Sequence, residues 1–177
     1  MSWHLERITE PLVEPVTLAE AKAQCRVRHS HDDDRLTRLI ASAREQAEGR
    51  TRRALISQSW RQTSPATCGR IRLERWPVQQ VSAVQVDGQL LDPSAYRVRP
   101  GDDGYVDPVA GWPGNEVVVD FVAGYGSEAA SVPASIRDWM LVQIADAYAN
   151  PGAVVIGTIT SRLDFIDSLL IPYIVQR

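Results

Sequence analysis

Lysine is nearly absent from this sequence. Of 19 basic residues only Lys22 is lysine, and the other 18 are arginine. That leaves almost nothing for a phosphate-loop lysine or a Schiff base. Cys25 and Cys68 are the only cysteines, too few for a zinc site built from paired CxxC motifs. There are three histidines, His4, His29 and His31. Basic charge is not in excess: the net charge is -3 and the pI about 5.6, which excludes a globally basic nucleic-acid binder. No apolar run reaches the roughly 18 residues that span a bilayer. The first residues, MSWHLERITEPLVEP, have neither a basic head nor an apolar core, so no secretory signal is expected and both cysteines are read as reduced, buried thiols.

What is present fits one domain, or one domain with a sizeable insertion. The chain has 177 residues, 44% of them hydrophobic and 23% charged, enough for a core and too balanced for wholesale disorder. Residues 1–53 carry +1 and the remainder −4. Three zones follow one another: 1–55 helical, 56–125 made of strands and turns, and 126–152 helical again. An apolar arm, 153–177, closes the chain.

Thr17-Leu18-Ala19-Glu20 matches the capping-box pattern and predicts a short helix ending near Val27–His29. A second helix is the clearest element. Leu36, Leu39, Ile40, Ala43 and Ala47 form one apolar stripe, Ser30 or Asp32 caps the start, and Gly49 lies near the end. Then the period becomes two. Ile56, Gln58 and Trp60 alternate with polar residues, as do Ile71 and Leu73. Val81 and Ala83 imply one register for the next strand, Val84 and Val86 the other. Asp87-Gly88 signals a hairpin, and 96–98 and Glu116–Ala123 are further strands. Five or six short strands predict a small antiparallel sheet or barrel. A third helix follows Pro133 at its first position, with Ile136, Met140, Ile144 and Ala147 on one face. Ala153–Thr160 (AVVIGTIT) reads as extended chain, and 161–170 as a short final helix ended by Pro172. The fold class is α+β: a small helical bundle with an antiparallel β-rich insertion between the second and third helices and an extended C-terminal tail.

Candidate chemistry is thin. His29, His31, Asp32, Asp33 and Asp34 form the densest set of metal-ligand types, and they support a small metal-dependent hydrolase or lyase as the alternative function. The same acids are favoured at a helix start, and consecutive carboxylates on a helix point roughly 100° apart rather than at one ion. Cys25 and His29 are an i, i+4 pair that can touch, or a buried cysteine near an exposed helix end. Gly124-Tyr125-Gly126-Ser127 stands where phosphate loops stand, but lacks the GxxxxGK[ST] pattern and reads as a strand-to-helix connection. Arg44, Arg50, Arg52 and Arg53 can bind phosphates or be a solvated helix end. Trp76 and Trp112 precede prolines, as a ligand platform or as packing for the turns. No catalytic residue, metal or cofactor is expected.

The tail is the anomaly. An end this apolar needs a cover, its own domain or another chain. Residues from about Leu163 to Arg177 are expected to leave the domain and dock on a partner. Leu169, Leu170, Ile171, Tyr173, Ile174 and Val175 are the candidate contacts, and deletion of 169–177 is expected to leave the melting temperature nearly unchanged.

The order of several short motifs carries a family resemblance. They are PVTLAEAK at 15–22, DDRLTRLIASAR at 33–44, TRRALI at 51–56, DPSAYRV at 92–98, AGYG at 123–126, VPASIR at 132–137 and LIPY at 170–173. In this order the chain resembles the head–tail connector, or adaptor, family of long-tailed bacteriophages, prophages and gene transfer agents, from about residue 15 to the C-terminus. The resemblance implies a structural virion protein at the head–tail junction, made in the host cytoplasm. It implies a ring, usually twelve-fold, beneath the portal protein, which extends the DNA channel and meets the next connector (stopper) or a tail component. It implies no enzymatic activity and no membrane association.

Overall fold

The computed structural model describes residues 3–66, 69–150 and 164–175. Ala153–Thr160, read as extended chain, lies outside the described residues, as does Cys68. The chain divides into two compact units, Met1–Leu12 with Ile56–Ser127, and Val13–Leu55 with Glu128–Arg177.

The first unit is built of antiparallel strands, with one 3-10 turn over Pro93–Ala95 among its described residues. Its strands are β1 (His4–Arg7), β2 (Gln58–Pro65), β3 (Ile71–Arg72), β4 (Val78–Val86), β5 (Gln89–Leu90), β6 (Tyr96–Arg99), β7 (Tyr105–Pro108) and β8 (Glu116–Ala123). Among the described residues they form two sheets rather than one. Five strands run in the order β1-β2-β8-β4-β5, and three in the order β3-β7-β6. β1 lies in the zone read as helical, and β7 lies where the sequence predicts no strand; both are only four residues long, and β1 has Leu5 as its one apolar residue.

Alternation builds the larger sheet. Gln58, Trp60, Gln62 and Ser64 of β2 face the core, as do Val117, Val119, Phe121 and Ala123 of β8. Trp60 stands opposite Phe121. β4 shows why its register could not be read: the pairing with β8 shifts between Val78 and Gln80 and again between Val81 and Ala83. Each bulge adds one residue and flips the parity of the side chains. The Asp87-Gly88 hairpin is present, with φ of 49° and 80°, the left-handed pair of a type I′ turn. The Asp87 carboxylate then accepts from the N–H groups of Asn115 and Glu116.

Two polar devices tie this unit together. Buried Gln62 donates to the Arg72 carbonyl at 2.9 Å and accepts from the Glu74 N–H at 2.8 Å. Its amide thereby substitutes for a strand partner between the two sheets. At the end of β8, Gly124 sits at φ 145°, and a Cβ there would meet the Ile56 carbonyl carbon at 2.6 Å. Only glycine combines that dihedral with so close an approach.

The second unit is helical: α1 (Leu18–Gln24), α2 (Asp33–Thr51), α3 (Ala134–Ala149) and α4 (Asp164–Asp167), with 3-10 turns over Ala129–Ser131 and Ile171–Tyr173. α1 starts with the expected capping box, Thr17 accepting from the Glu20 N–H and the Glu20 carboxylate accepting from the Thr17 N–H. α2 buries Leu36, Ile40, Ala43 and Ala47. It continues past Gly49 to Thr51 and ends on Arg52 in the left-handed conformation, φ 59°. α3 buries Ile136, Trp139, Met140 and Ile144, while Ala147 is exposed and Pro133 takes the cap position just before the first turn. An α+β class with a helical bundle and antiparallel strands is what the sequence implied.

Candidate assembly surface

The last turn of α2 receives the C-terminal segment. Arg50 donates to the Asp167 carboxylate at 2.6 Å, and the Trp139 indole N–H donates to the same oxygen at 3.1 Å. The Arg50 guanidinium also lies 5.2 Å from the Trp139 ring centroid, a cation–π contact. Three residues beyond Arg50, the buried Arg53 donates to the Tyr173 carbonyl at 2.7 Å. The Val175 N–H donates to the Thr51 carbonyl at 3.3 Å. This uses what a helix end offers: unpaired carbonyls at its C-terminus and cations favoured there by the dipole. Ile166 and Leu170 fill the unit's core, Leu170 being 1% exposed.

The tail therefore does not leave its domain over the described residues. Of the basic cluster, Arg50 and Arg53 hold the protein's own C-terminal segment, and buried Arg44 pairs with Glu14 and Glu48. The six expected contacts separate into two sets. Leu170 faces in, and Leu169, Tyr173 and Val175 are half-buried. Ile171 is 64% exposed and Ile174 45% exposed. Ile171 opens the 3-10 turn and Ile174 caps it in extended conformation, so with exposed Pro172 they place three exposed apolar side chains within four residues.

Sequence reasoning missed the holding residues, Arg50, Arg53, Trp139 and Asp167. Asp167 is separated from Arg50 by 117 positions, so no local pattern joins them. One signal was available, two acids, Asp164 and Asp167, inside an otherwise apolar tail.

The His/Asp cluster is used structurally. Asp32 accepts from the Tyr148 hydroxyl and Asp33 from Lys22 at 2.6 Å. That contact with Asp32 pushes the Tyr148 phenol above its usual range. Arg35 closes the same corner, donating to the Tyr148 carbonyl at 2.9 Å and covering its ring. His29 and His31 are exposed, with ring centroids 5.6 Å apart. Among the described residues no group of three or more His, Cys, Asp or Glu is placed to hold a metal ion. Cys25 is half-buried, and burial pushes its thiol pKa up, away from the reactive thiolate. The Gly124-Tyr125-Gly126 loop is spent on the strands: the Gly124 N–H donates to the Pro77 carbonyl, and the Gly126 carbonyl accepts from the Ser57 N–H. Trp76 is buried under Arg72, and the Trp112 indole N–H donates to the Gly69 carbonyl, so both pack turns.

Residues 15–84 match the model of the Phage gp6-like head-tail connector protein family. The matched segment runs from the residue before the α1 cap region through most of β4, and it bears out the resemblance seen in the motif order. Solved structures extend the likeness of fold to nearly the whole chain. One described as "Neck of empty GTA particle computed with C6 symmetry" superposes with a TM-score of 0.83 at 21% identity, covering 98% of this chain and 96% of that one. A "Virion of native gene transfer agent (GTA) particle" gives 0.80 with the same identity and coverage. A "Neck of native GTA particle computed with C12 symmetry" gives 0.72, again at 21% identity and the same coverage. No curated protein matches the chain. Among the described residues no helix is long and apolar enough to cross a membrane.

Proposed function

We propose that this protein is a structural subunit of a virion neck, a connector that joins the head of a phage or gene transfer agent to its tail. The observation that carries the reading is the connector-family match over 15–84, on a fold that follows a GTA neck protein along 98% of the chain. In this reading the subunits form a ring, with the six- and twelve-fold symmetries of the similar neck structures as its model. The ring sits beneath the portal, extends the DNA channel and offers its far side to a stopper or tail component. The role is mechanical and not enzymatic. The metal-hydrolase alternative loses its support, since Asp32 and Asp33 are committed to Tyr148 and Lys22.

The C-terminal segment supplies a contact in this scheme. Its inward residues fix it to α2, and its outward pair, Ile171 and Ile174, meets the portal or an adjacent subunit. An apolar patch held by its own domain loses little entropy on docking, which favours affinity. The test is an Ile171→Asp/Ile174→Asp variant mixed with portal-bearing capsids lacking the connector. Its melting temperature should match the parent, while attachment, counted on particles by electron microscopy, should be lost. Attachment at the parental level would refute the docking role. Failure of the parent chain to attach would refute the connector reading itself.

A further inference from the structure

One buried guanidinium of α2 is shared by three carboxylates. Arg44 donates through Nε to Glu14 at 2.9 Å and through Nη1 to Glu48 at 3.3 Å, and a Glu45 oxygen lies 3.9 Å from its Nη2. Glu48 is buried too, and its second oxygen accepts from the Leu55 N–H at 3.0 Å. Arg44, Glu45 and Glu48 all belong to α2. Glu14 does not. It stands on a strap, residues 13–16, by which the chain enters the helical unit and reaches the Thr17 cap of α1.

The strap has three anchors. Glu14 meets Arg44, the Pro15 carbonyl accepts from Arg137 of α3 at 2.9 Å, and the Val16 side chain is buried. Arginine keeps its charge throughout the pH range of a folded protein, so of these anchors only the first responds to protons. Glu14 is half-buried, and its ionised form loses part of its hydration there. Among the described residues Arg44 is the cation it meets. Arg137 is engaged by Pro15 and Glu20, and Lys22 by Asp33. Burial lifts the Glu14 carboxyl above the ordinary 4.5 against the pull of Arg44, and the Glu48 and Glu45 charges add to the lift.

We propose that Glu14 is a proton-operated latch: its neutral carboxyl seats the 13–16 strap on α2, and its ionised carboxyl holds the strap less firmly. The attraction between Glu14 and Arg44 taken alone gives the opposite order. It is outweighed because Arg44 is divided among three acids, two of which repel Glu14. A lifted strap places the carboxylate in water, where its charge is solvated, so the seated form binds the proton more tightly than the lifted one. Lowering the pH therefore favours seating. The neutral carboxyl keeps a carbonyl oxygen as acceptor for the Arg44 Nε–H, so the contact persists while the repulsion is removed. The proposal concerns the isolated chain and does not rest on the connector reading.

The test is NMR of the isotope-labelled full chain between pH 7 and 4.5, a window in which Glu20 stays ionised. The Glu14 carboxyl carbon should titrate with a midpoint above 4.5, and Glu45→Gln should bring that midpoint down. A soluble nitroxide reports on the strap. The relaxation it induces at the Val16 methyl groups should fall as the pH drops through the Glu14 midpoint, while the buried Leu36 methyls of α2 stay unchanged. Glu14→Gln fixes the neutral form, so its Val16 methyls should show the low-pH relaxation at every pH. That variant should also have a higher urea midpoint than the parent at pH 7, an advantage that shrinks toward pH 4.5. Three results would overturn the proposal: a Glu14 midpoint at or below 4.5, Val16 relaxation that ignores pH, or a lower urea midpoint for Glu14→Gln at pH 7, which would mark the contact with Arg44 as an ordinary ion pair.

Discussion

The Arg50 guanidinium and the Asp167 carboxylate meet at 2.6 Å across 117 positions of sequence. Both side chains are partly exposed, so the ion pair by itself contributes at most about 1 kcal/mol. Asp167 does more than pair, because it also accepts from the Trp139 indole on the core side. Asp167→Ala should therefore cost about 1–2 kcal/mol, and Arg50→Ala less than about 1 kcal/mol. Hydrogen exchange locates the effect: the amides of 166–175 should lose protection in Asp167→Ala while those of α2 keep theirs. Unchanged exchange in that segment would mean that Leu170 and Arg53 hold it unaided.

Packing separates two neighbouring residues of the tail. Leu170 is a core side chain, and Leu170→Ala should cost about 2–5 kcal/mol, lowering the midpoint in a urea titration. Deletion of 169–177 should destabilise at least as much, the opposite of what the sequence alone implied. Ile174→Asp changes an exposed residue and should stay within about 0.5 kcal/mol of the parent.

Gly124→Ala tests the strand junction. The new Cβ would press on the backbone of Ile56 and Ser57, which cannot give way as a flexible side chain can, and φ 145° adds strain. A loss of about 2–4 kcal/mol is expected, from combined strain and overpacking. Gly88→Ala has open space around it and only the positive φ to oppose it, so it should cost about 1 kcal/mol. Thermal melts of the two variants should show that order; the reverse order would place the close approach elsewhere.

Legibility followed the range of the interaction that decides each element. The α2 stripe and the Thr17–Glu20 cap are local, and both are present. The Asp87-Gly88 turn is local too, since it needs only two residues that tolerate positive φ. β4 was legible as a strand but not in register, because two bulges reverse which of its residues face the core. β1 was hidden because His4–Arg7 is too short and polar to display a period and exists by pairing with β2. The tail was read from composition as free apolar chain. Its docking depends on Arg50, Arg53 and Trp139, whose partners are remote in sequence.

The α1 cap carries a pH dependence with a definite sign. Glu20 accepts from the Thr17 N–H and hydroxyl and pairs with Arg137, whose guanidinium also donates to the Pro15 carbonyl. The hydrogen bonds from Thr17, and next the Arg137 charge, hold its carboxyl below the ordinary glutamate value of about 4.5. A carboxyl held low in the folded protein binds its proton more weakly there than in the unfolded chain. Its contribution is therefore complete above about pH 4.5, and it is lost as the pH falls through the lower folded value. Glu14 runs the other way, because burial, against the opposing pull of Arg44, raises its carboxyl, so its contribution declines as the pH rises past the same value. Glu20→Gln keeps an acceptor for the Thr17 N–H but removes the charge that meets Arg137. The variant should be slightly less stable than the parent at pH 7, and the gap should close as the pH is lowered from about 4.5 toward 3. Urea midpoints of both proteins across that range measure the gap directly. A gap that stays constant, or widens toward acid, would mean that Glu20 acts through the neutral cap alone and that its pairing with Arg137 contributes nothing.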